Sequence, residues 1–363
     1  TLLVGNGMVG VPFGTKSMYS TQWIDTKTGV VTAGPFTNYP HSFNSFLTIP
    51  IYKKGKPVAS KIVVISGIRE GIKLLPSVEI LEPDDLPCDI GGIQSHKLPN
   101  LYAPISKISL DRKTLTTSYP VTLCPDNKLL IIQMRGAEVN STIGNMYGKV
   151  SSYQDAGNYE FTRIESINGN TITLNKPLTR SYNPAGKVQI VRVPEFQNYT
   201  ITDKLTCPKW NDTIYGVIAL SVSDTLRLQE SINANGSGFS GGKSINSPTT
   251  PQEHLDVYFG AADSSKYALK GSGISNYLSS EHCAGKGALA NAGGGGNNHN
   301  AGGGGGANGG CGGKGGFGWD LMTQGDKKLS QGIGGYAVDN SGNKIYMGGG
   351  GGGGHSNEGT GTD

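Results

Sequence analysis

Between residues 45 and 65 the chain reads SFLTIPIYKKGKPVASKIVVI: an apolar run, a Lys-Lys-Gly-Lys-Pro turn and a β-branched run from Ile62 to Ile65. That order predicts a β-hairpin, because β-branched residues suit a pleated surface and glycine suits a reversal. Prolines recur from Pro50 to Pro104, which argues against long helices. A β-sandwich-like N-terminal domain is expected over residues 1–118. Further on, FTRIESINGNTITL alternates on both sides of Asn168-Gly169, the strongest short hairpin signal. KVQIVRVPEF is another strand, closed by Pro194. GVIALSVSDTLRLQESINANGSGF then gives three strand-length segments, expected to stack as rungs of a parallel sheet. Residues 119–235 are therefore expected to form a second β domain with short solenoid-like rungs.

Beyond Gly236 the alternation stops and glycine takes over, apart from GYAVDNSGNKIYM, where a hairpin is expected around residues 340–343. Of the 363 residues 57 are glycine, and charged residues are only 16%, against about 25% in an average soluble protein. A glycine tract is by default a flexible linker. Three features point instead to a folded element over 236–363. In GGCGGKGGFG the side chains of Cys311, Lys314 and Phe317 each follow a Gly-Gly pair. Polyproline-II geometry has about three residues per turn and no hydrogen bonds within its own chain, so these side chains would line one edge and leave two bare for neighbours. The tracts 293–296, 302–306 and 348–354 are separated by Asn, His and Ala, and asparagine suits reversals. Phe317, Trp319, Tyr336 and Tyr346 flank the tracts, whereas linkers are poor in aromatics. The expected fold is thus mainly β with a C-terminal polyglycine-II helix array, in which Gly302, Gly304, Gly306, Gly312, Gly315, Gly348, Gly351 and Gly354 are structural.

Net charge is +4 and scattered, which gives no case for nucleic acid. No run of about 18 apolar residues predicts a membrane span. Five widely spaced cysteines form no CxxC pair, so zinc is not expected, and one or two disulfides are open. Several motifs are coincidental. Gly5, Gly7 and Gly10 match GxGxxG, but Val11-Pro12-Phe13-Gly14 cannot open the helix that a dinucleotide needs. Ser240 in GFSGG matches a nucleophile elbow, without a helical pattern after it. The carboxylates of EPDDLPCD (82–89) lack the alternating spacing of a calcium loop. No cofactor, metal or catalytic residue is expected.

Seven blocks occur in order: LLIIQMRGA, GNYEFTRIESINGNTITL, KVQIVRVPEF, GVIALSV, INANGSGFSGG, HNAGGGGGANGGCGGKGG and MGGGGGGGH. Together, over residues 121–355, they resemble a module of large bacterial surface proteins exported by the type IX system and used as gliding-motility adhesins. The glycine-rich part also resembles the polyglycine domains of phage tail-tip adhesins and of the anaplastic-lymphoma-kinase receptor family. The resemblance implies hexagonally packed polyglycine helices and a non-enzymatic, extracellular role at the cell surface. On that footing Asp212-Thr213-Ile214 and Asp224-Thr225-Leu226 match a short O-glycan acceptor pattern. The chain is expected to be an excised part of a longer parent, with secretion or cell-surface anchoring machinery and surface glycans or proteins as partners. The alternatives are an accessory module of a cell-attached enzyme and a receptor-type ectodomain. Expected contacts are Asn297, Asn298, His299, Lys314, Phe317, Trp319 and His355, at tract reversals and along the three-residue edge. For Phe317 and Trp319, capping the array against the neighbouring β domain is the reading favoured over a contact.

Overall fold

The computed structural model describes residues 100–356 apart from residues 122, 248–255, 263–265, 277–279, 298–299, 321–324 and 328–329. It describes the backbone alone at residues 320 and 325–327, and before residue 100 the backbone of short strands. The chain divides into two compact units, Thr1–Ser95 and His96–Asp363. In the first, Ser45–Lys53 and Lys56–Ile65 pair antiparallel as the hairpin pattern predicts, and Val78–Leu81 adds a third strand. A second three-stranded sheet joins Leu2–Gly5, Thr21–Ile24 and Val31–Ala33. The expected sandwich packing depends on side chains outside the described residues. Gly10 lies in the strand Val9–Val11, not at the start of a helix.

The second unit is built on a closed antiparallel barrel of six strands. These are β1 (Tyr102–Ile108), β2 (Thr114–Thr117), β3 (Lys128–Gln133), β4 (Tyr159–Asn168), β5 (Thr171–Leu174) and β6 (Val188–Arg192), in the order β1-β2-β5-β4-β3-β6. The β4–β5 hairpin turns at Gly169-Asn170, one residue on from the expected pair: Asn168 is the last residue of β4, pairing with Thr171, and Gly169 takes φ +59°. A two-residue turn of this kind joins only antiparallel strands.

Alternation then decides the core. From β3, Leu129 and Ile131 enter a cluster with Ala103, Ile105, Leu115, Ile172, Leu174 and Ile190 inside the barrel. Leu130 and Ile132 point the other way, into a cluster with Trp210, Ile214, Phe239, Ile274, Val338 and Tyr346. A strand buried on both faces reads as a continuous apolar run, which is what LLII is. The outer cluster joins the barrel to the loops around residue 210 and to the glycine-rich half.

Three expectations are corrected. A boundary after residue 118 would cut the barrel, because β1 and β2 complete it by pairing with β6 and β5. The solenoid-like rungs are limited to parallel pairs beside the antiparallel barrel. Glu195–Ile201 pairs with Ser221–Leu228, and Leu205–Thr206 pairs with Ile232–Asn233. The segments after residue 220 therefore pair with strands from 195–206, not with one another. Around residues 340–343 there is a turn, with Asp339 Oδ1 accepting from the Ser341 amide, but no strand ladder. The flanking amides are taken elsewhere: Val338 donates to the Asn308 carbonyl and Ile345 to that of Gly157.

Truncating the barrel interior should be costly and truncating its outer rim should not. Ile131→Ala removes a side chain that is 0% exposed and is expected to cost about 2–5 kcal/mol. Phe161→Ala, at a site 46% exposed, should cost well below that, with both read from denaturant unfolding.

Candidate functional site

Away from the outer hydrophobic cluster, the glycine-rich half is held by backbone hydrogen bonds between segments. The amides of Gly302 and Gly305 donate to the carbonyls of Gly316 and Gly313. Those of Gly312 and Gly315 donate to Gly335 and Gly332, and those of Gly332 and Gly335 donate back to Gly302 and Gly305. Three segments thus close a triangle, with every bond between 2.8 and 3.0 Å. The donors recur every third residue. A β ladder repeats every second residue and an α-helix bonds within its own chain, so neither pattern accounts for this spacing.

Residues 348–355 show the same phase with more neighbours. The amides of Gly349, Gly352 and His355 donate to the carbonyls of Ala307, Gly304 and Ala301. Gly350 and Gly353 donate to Ser272 and Leu269, while their own carbonyls accept from Gly293 and Gly296. The carbonyls of Gly348, Gly351 and Gly354 accept from Phe239, Gly242 and Ile245. Four other segments are engaged by one tract, so each of its three edges has a different job.

That phase determines which glycines are required. A Cβ on Gly349, Gly350, Gly352 or Gly353 would lie closer than 3.0 Å to a carbonyl oxygen of a neighbouring segment. The same holds for Gly304, Gly306, Gly312 and Gly315, and for Gly302 against the Gly316 amide nitrogen. At Gly348, Gly351 and Gly354 the demand for a missing Cβ is weaker. A Cβ there meets nothing within 4 Å at Gly348, an atom at 3.3 Å at Gly351 and one at 3.8 Å at Gly354. Their contribution is the carbonyl; there is room for a Cβ at Gly348 and Gly354, whereas at Gly351 the Gly304 carbonyl oxygen would have to shift slightly.

Two side chains pin the segments together, and pattern reading passed over both. Asn291 is 0% exposed; its Oδ1 accepts from the Ile274 amide at 2.9 Å and its Nδ2 donates to the carbonyls of Met347 at 2.9 Å and Ala307 at 3.4 Å. Lys270 is 1% exposed, and its Nζ donates to the carbonyls of Tyr258, Gly285 and Gly287. Burial pushes the Lys270 amine well below its ordinary value, while the three carbonyl oxygens favour the charged ammonium. Asparagine at the mouth of the first tract was a usable signal for Asn291; a single lysine in ALKGSG gave none for Lys270.

The expected contact residues separate into two groups. Cys311 and Lys314 are exposed, Phe317 is 43% and Trp319 41% exposed, and a Cβ on Gly313 or Gly316 would meet nothing within 4 Å. Residues 311–319 therefore present an outward edge carrying a cation and two aromatic rings. Phe317 and Trp319 thus keep about two-fifths of their surface exposed. Tyr346 is buried in the outer cluster, and the Tyr336 hydroxyl donates to the Tyr147 carbonyl at 2.7 Å. Asn297 and His355 are corrected: both are buried, Asn297 with its Nδ2 donating to the Val257 carbonyl, and His355 in a parallel pair with Ile245. Asn298 and His299 lie outside the described residues.

Ser240 is followed by an extended segment whose amides donate to Gly351 and Gly354, not by a helix. Among the described residues no three His, Cys, Asp or Glu side chains converge to hold a metal, and no helix is long and apolar enough to cross a membrane. Cys124 is disulfide-bonded, whereas Cys207, Cys283 and Cys311 are free thiols.

No family model matches the chain, and no curated protein matches it. Solved structures similar in part include the tailspike protein gp49 of Pseudomonas phage LKA1, at 15% identity and a TM-score of 0.19, over 41% of this chain and 23% of that one. Another is the tailspike gp61 of Pseudomonas phage phi297, at 14% identity and a TM-score of 0.20, over 44% and 26%. The chain spans about a quarter of the length of these structures. At such TM-scores the likeness assigns neither fold nor activity.

Adjacent glycines should respond oppositely to one methyl group. Gly312→Ala and Gly315→Ala drive a Cβ into a neighbour's carbonyl and should break several bonds worth about 1 kcal/mol net each. Gly313→Ala and Gly316→Ala meet open space and should leave stability within about 1 kcal/mol, or raise it slightly by restricting the unfolded chain. Thermal unfolding of the four single variants checks this.

Proposed function

We propose that this chain is a non-catalytic structural and binding module of an extracellular bacterial cell-surface adhesin or filament, and that its glycine-rich half is an array of polyglycine-II helices. The observation that carries the reading is the three-residue recurrence of hydrogen bonds between glycine segments, which equals the turn of a polyproline-II helix. Such an array is stiff, and it presents few side chains. Those few, Lys314, Phe317 and Trp319, stand on the outward edge, where aromatic rings suit stacking on sugars or on a protein surface. The rest of the parent chain and the secretion or anchoring machinery are the other partners this role requires. The seven sequence blocks, which resemble those of type IX-exported adhesins, favour a role in attachment or gliding over an accessory role beside a catalytic domain.

The test is retention under flow. Beads coated with the chain are held against glycan- or protein-coated glass, and detachment is measured as shear rises. The Phe317→Ser/Trp319→Ser variant should detach several-fold more readily with an unchanged Tm. Equal retention of wild type and variant, or no retention of wild type, would count against the edge as the contact.

A further inference from the structure

A second site lies on the barrel and does not depend on the reading of the glycine-rich half. Lys128, Phe161, Thr162, Arg163, Asn175 and Lys176 line a shallow open cleft of about 230 Å³. Phe161 and Arg163 are two residues apart on β4, so they share one face, and Lys128 of β3 stands opposite Arg163 in the ladder. Asn175 follows β5 directly and is tied in place, its amide donating to the Arg163 carbonyl at 2.9 Å. Thr162 is buried and lies with its Oγ1 3.4 Å from Asn175 Oδ1, which leaves the Asn175 Nδ2 for a ligand.

Two properties of the cleft are hard to explain by folding alone. A phenylalanine ring remains 46% exposed on a rigid barrel strand, with the Lys128 ammonium 5.5 Å from its centroid. Charge is also unbalanced. Glu195 is shared by Arg163 at 2.8 Å and Lys128 at 3.6 Å, and Asp126 reaches Arg163 at 3.6 Å. Lys176 has no ion-pair partner among the described residues. Two of the three cations therefore share Glu195, Arg163 also meets the highly exposed Asp126, and Lys176 lines the same cleft.

We propose that this cleft binds an acidic sugar unit of an oligosaccharide, one bearing a carboxylate or a sulfate. The C–H face of the sugar ring would lie on Phe161, its acid group between Lys128 and Lys176, and a ring hydroxyl would accept from Asn175 Nδ2. A flat aromatic face with amide donors suits a saccharide, and the adjacent cations select an anionic one. A nucleic acid is disfavoured because polyanion binding needs a long basic track, and here the excess charge is local in a chain of net charge +4.

Calorimetric titration of the full chain at low salt decides the matter. The ligands are oligogalacturonate, a sulfated oligosaccharide, a neutral malto-oligosaccharide of equal length and a single-stranded oligonucleotide. The expected result is saturable binding of at least one acidic saccharide, with the two acidic arms distinguishing carboxylate from sulfate, and none of the neutral one. Phe161→Ala and Lys176→Gln should each weaken binding about tenfold at unchanged Tm. Failure of both acidic saccharides to bind, equal binding of the neutral one, tighter binding of the oligonucleotide, or wild-type affinity in both variants would overturn the proposal. None of these outcomes bears on attachment through residues 311–319.

Discussion

Every backbone N–H and C=O taken out of water must find a partner, and in the glycine-rich half that requirement falls on neighbouring segments. A tract such as 348–354 has no side chains to bury and no hydrogen bonds of its own to make, so its only route to order is through other segments of the chain. Its amides and carbonyls are divided among four segments, and removing one neighbour exposes groups on several others. Order in such an assembly is cooperative by construction. It also explains why close approach matters more than flexibility here: the positions that reject a Cβ are those where a carbonyl oxygen already occupies the space.

The segments need a fixed starting surface, and the barrel supplies one. Its interior is an ordinary aliphatic core, but β3 and β6 also bury their outer faces, through Leu130, Ile132 and Val191, against Trp210, Phe239, Ile274, Val338 and Tyr346. Phe239, Ile274 and Tyr346 belong to the segments that enter the glycine network, so the hydrophobic cluster sets where those segments begin. Asn291 and Lys270 then fix the crossings, each satisfying carbonyls from two or more segments. The buried Lys270 side chain serves this purpose because its Nζ reaches three carbonyls that no single backbone amide could.

Much of this was legible in the sequence where the code is local. The hairpins at residues 45–65 and around Asn168-Gly169, the strand before Pro194, and the two-sided burial announced by LLII all follow from patterns a few residues long. Cys311, Lys314 and Phe317, three residues apart in the sequence, are all exposed. What could not be read was anything set by long-range partners. The phase of 348–354 is invisible in a run of identical residues, so Gly351 could not be told from Gly350. The barrel closes through β1 and β6, strands separated by about ninety residues of sequence, and no local pattern marks residue 118 as lying inside it. Asn297 and His355 looked like reversal residues, yet both are drawn inward by the bonds their neighbours make.

Amide hydrogen exchange resolved along residues 348–355 tests the central claim most directly. The amides of Gly349, Gly350, Gly352 and Gly353 donate to other segments, and that of Gly351 is not among the donors. The account expects two slow amides, one faster, then two slow, with protection at all four donors lost together on partial denaturation. Uniform exchange at random-coil rates, or protection alternating every second residue as in a β ladder, would contradict it.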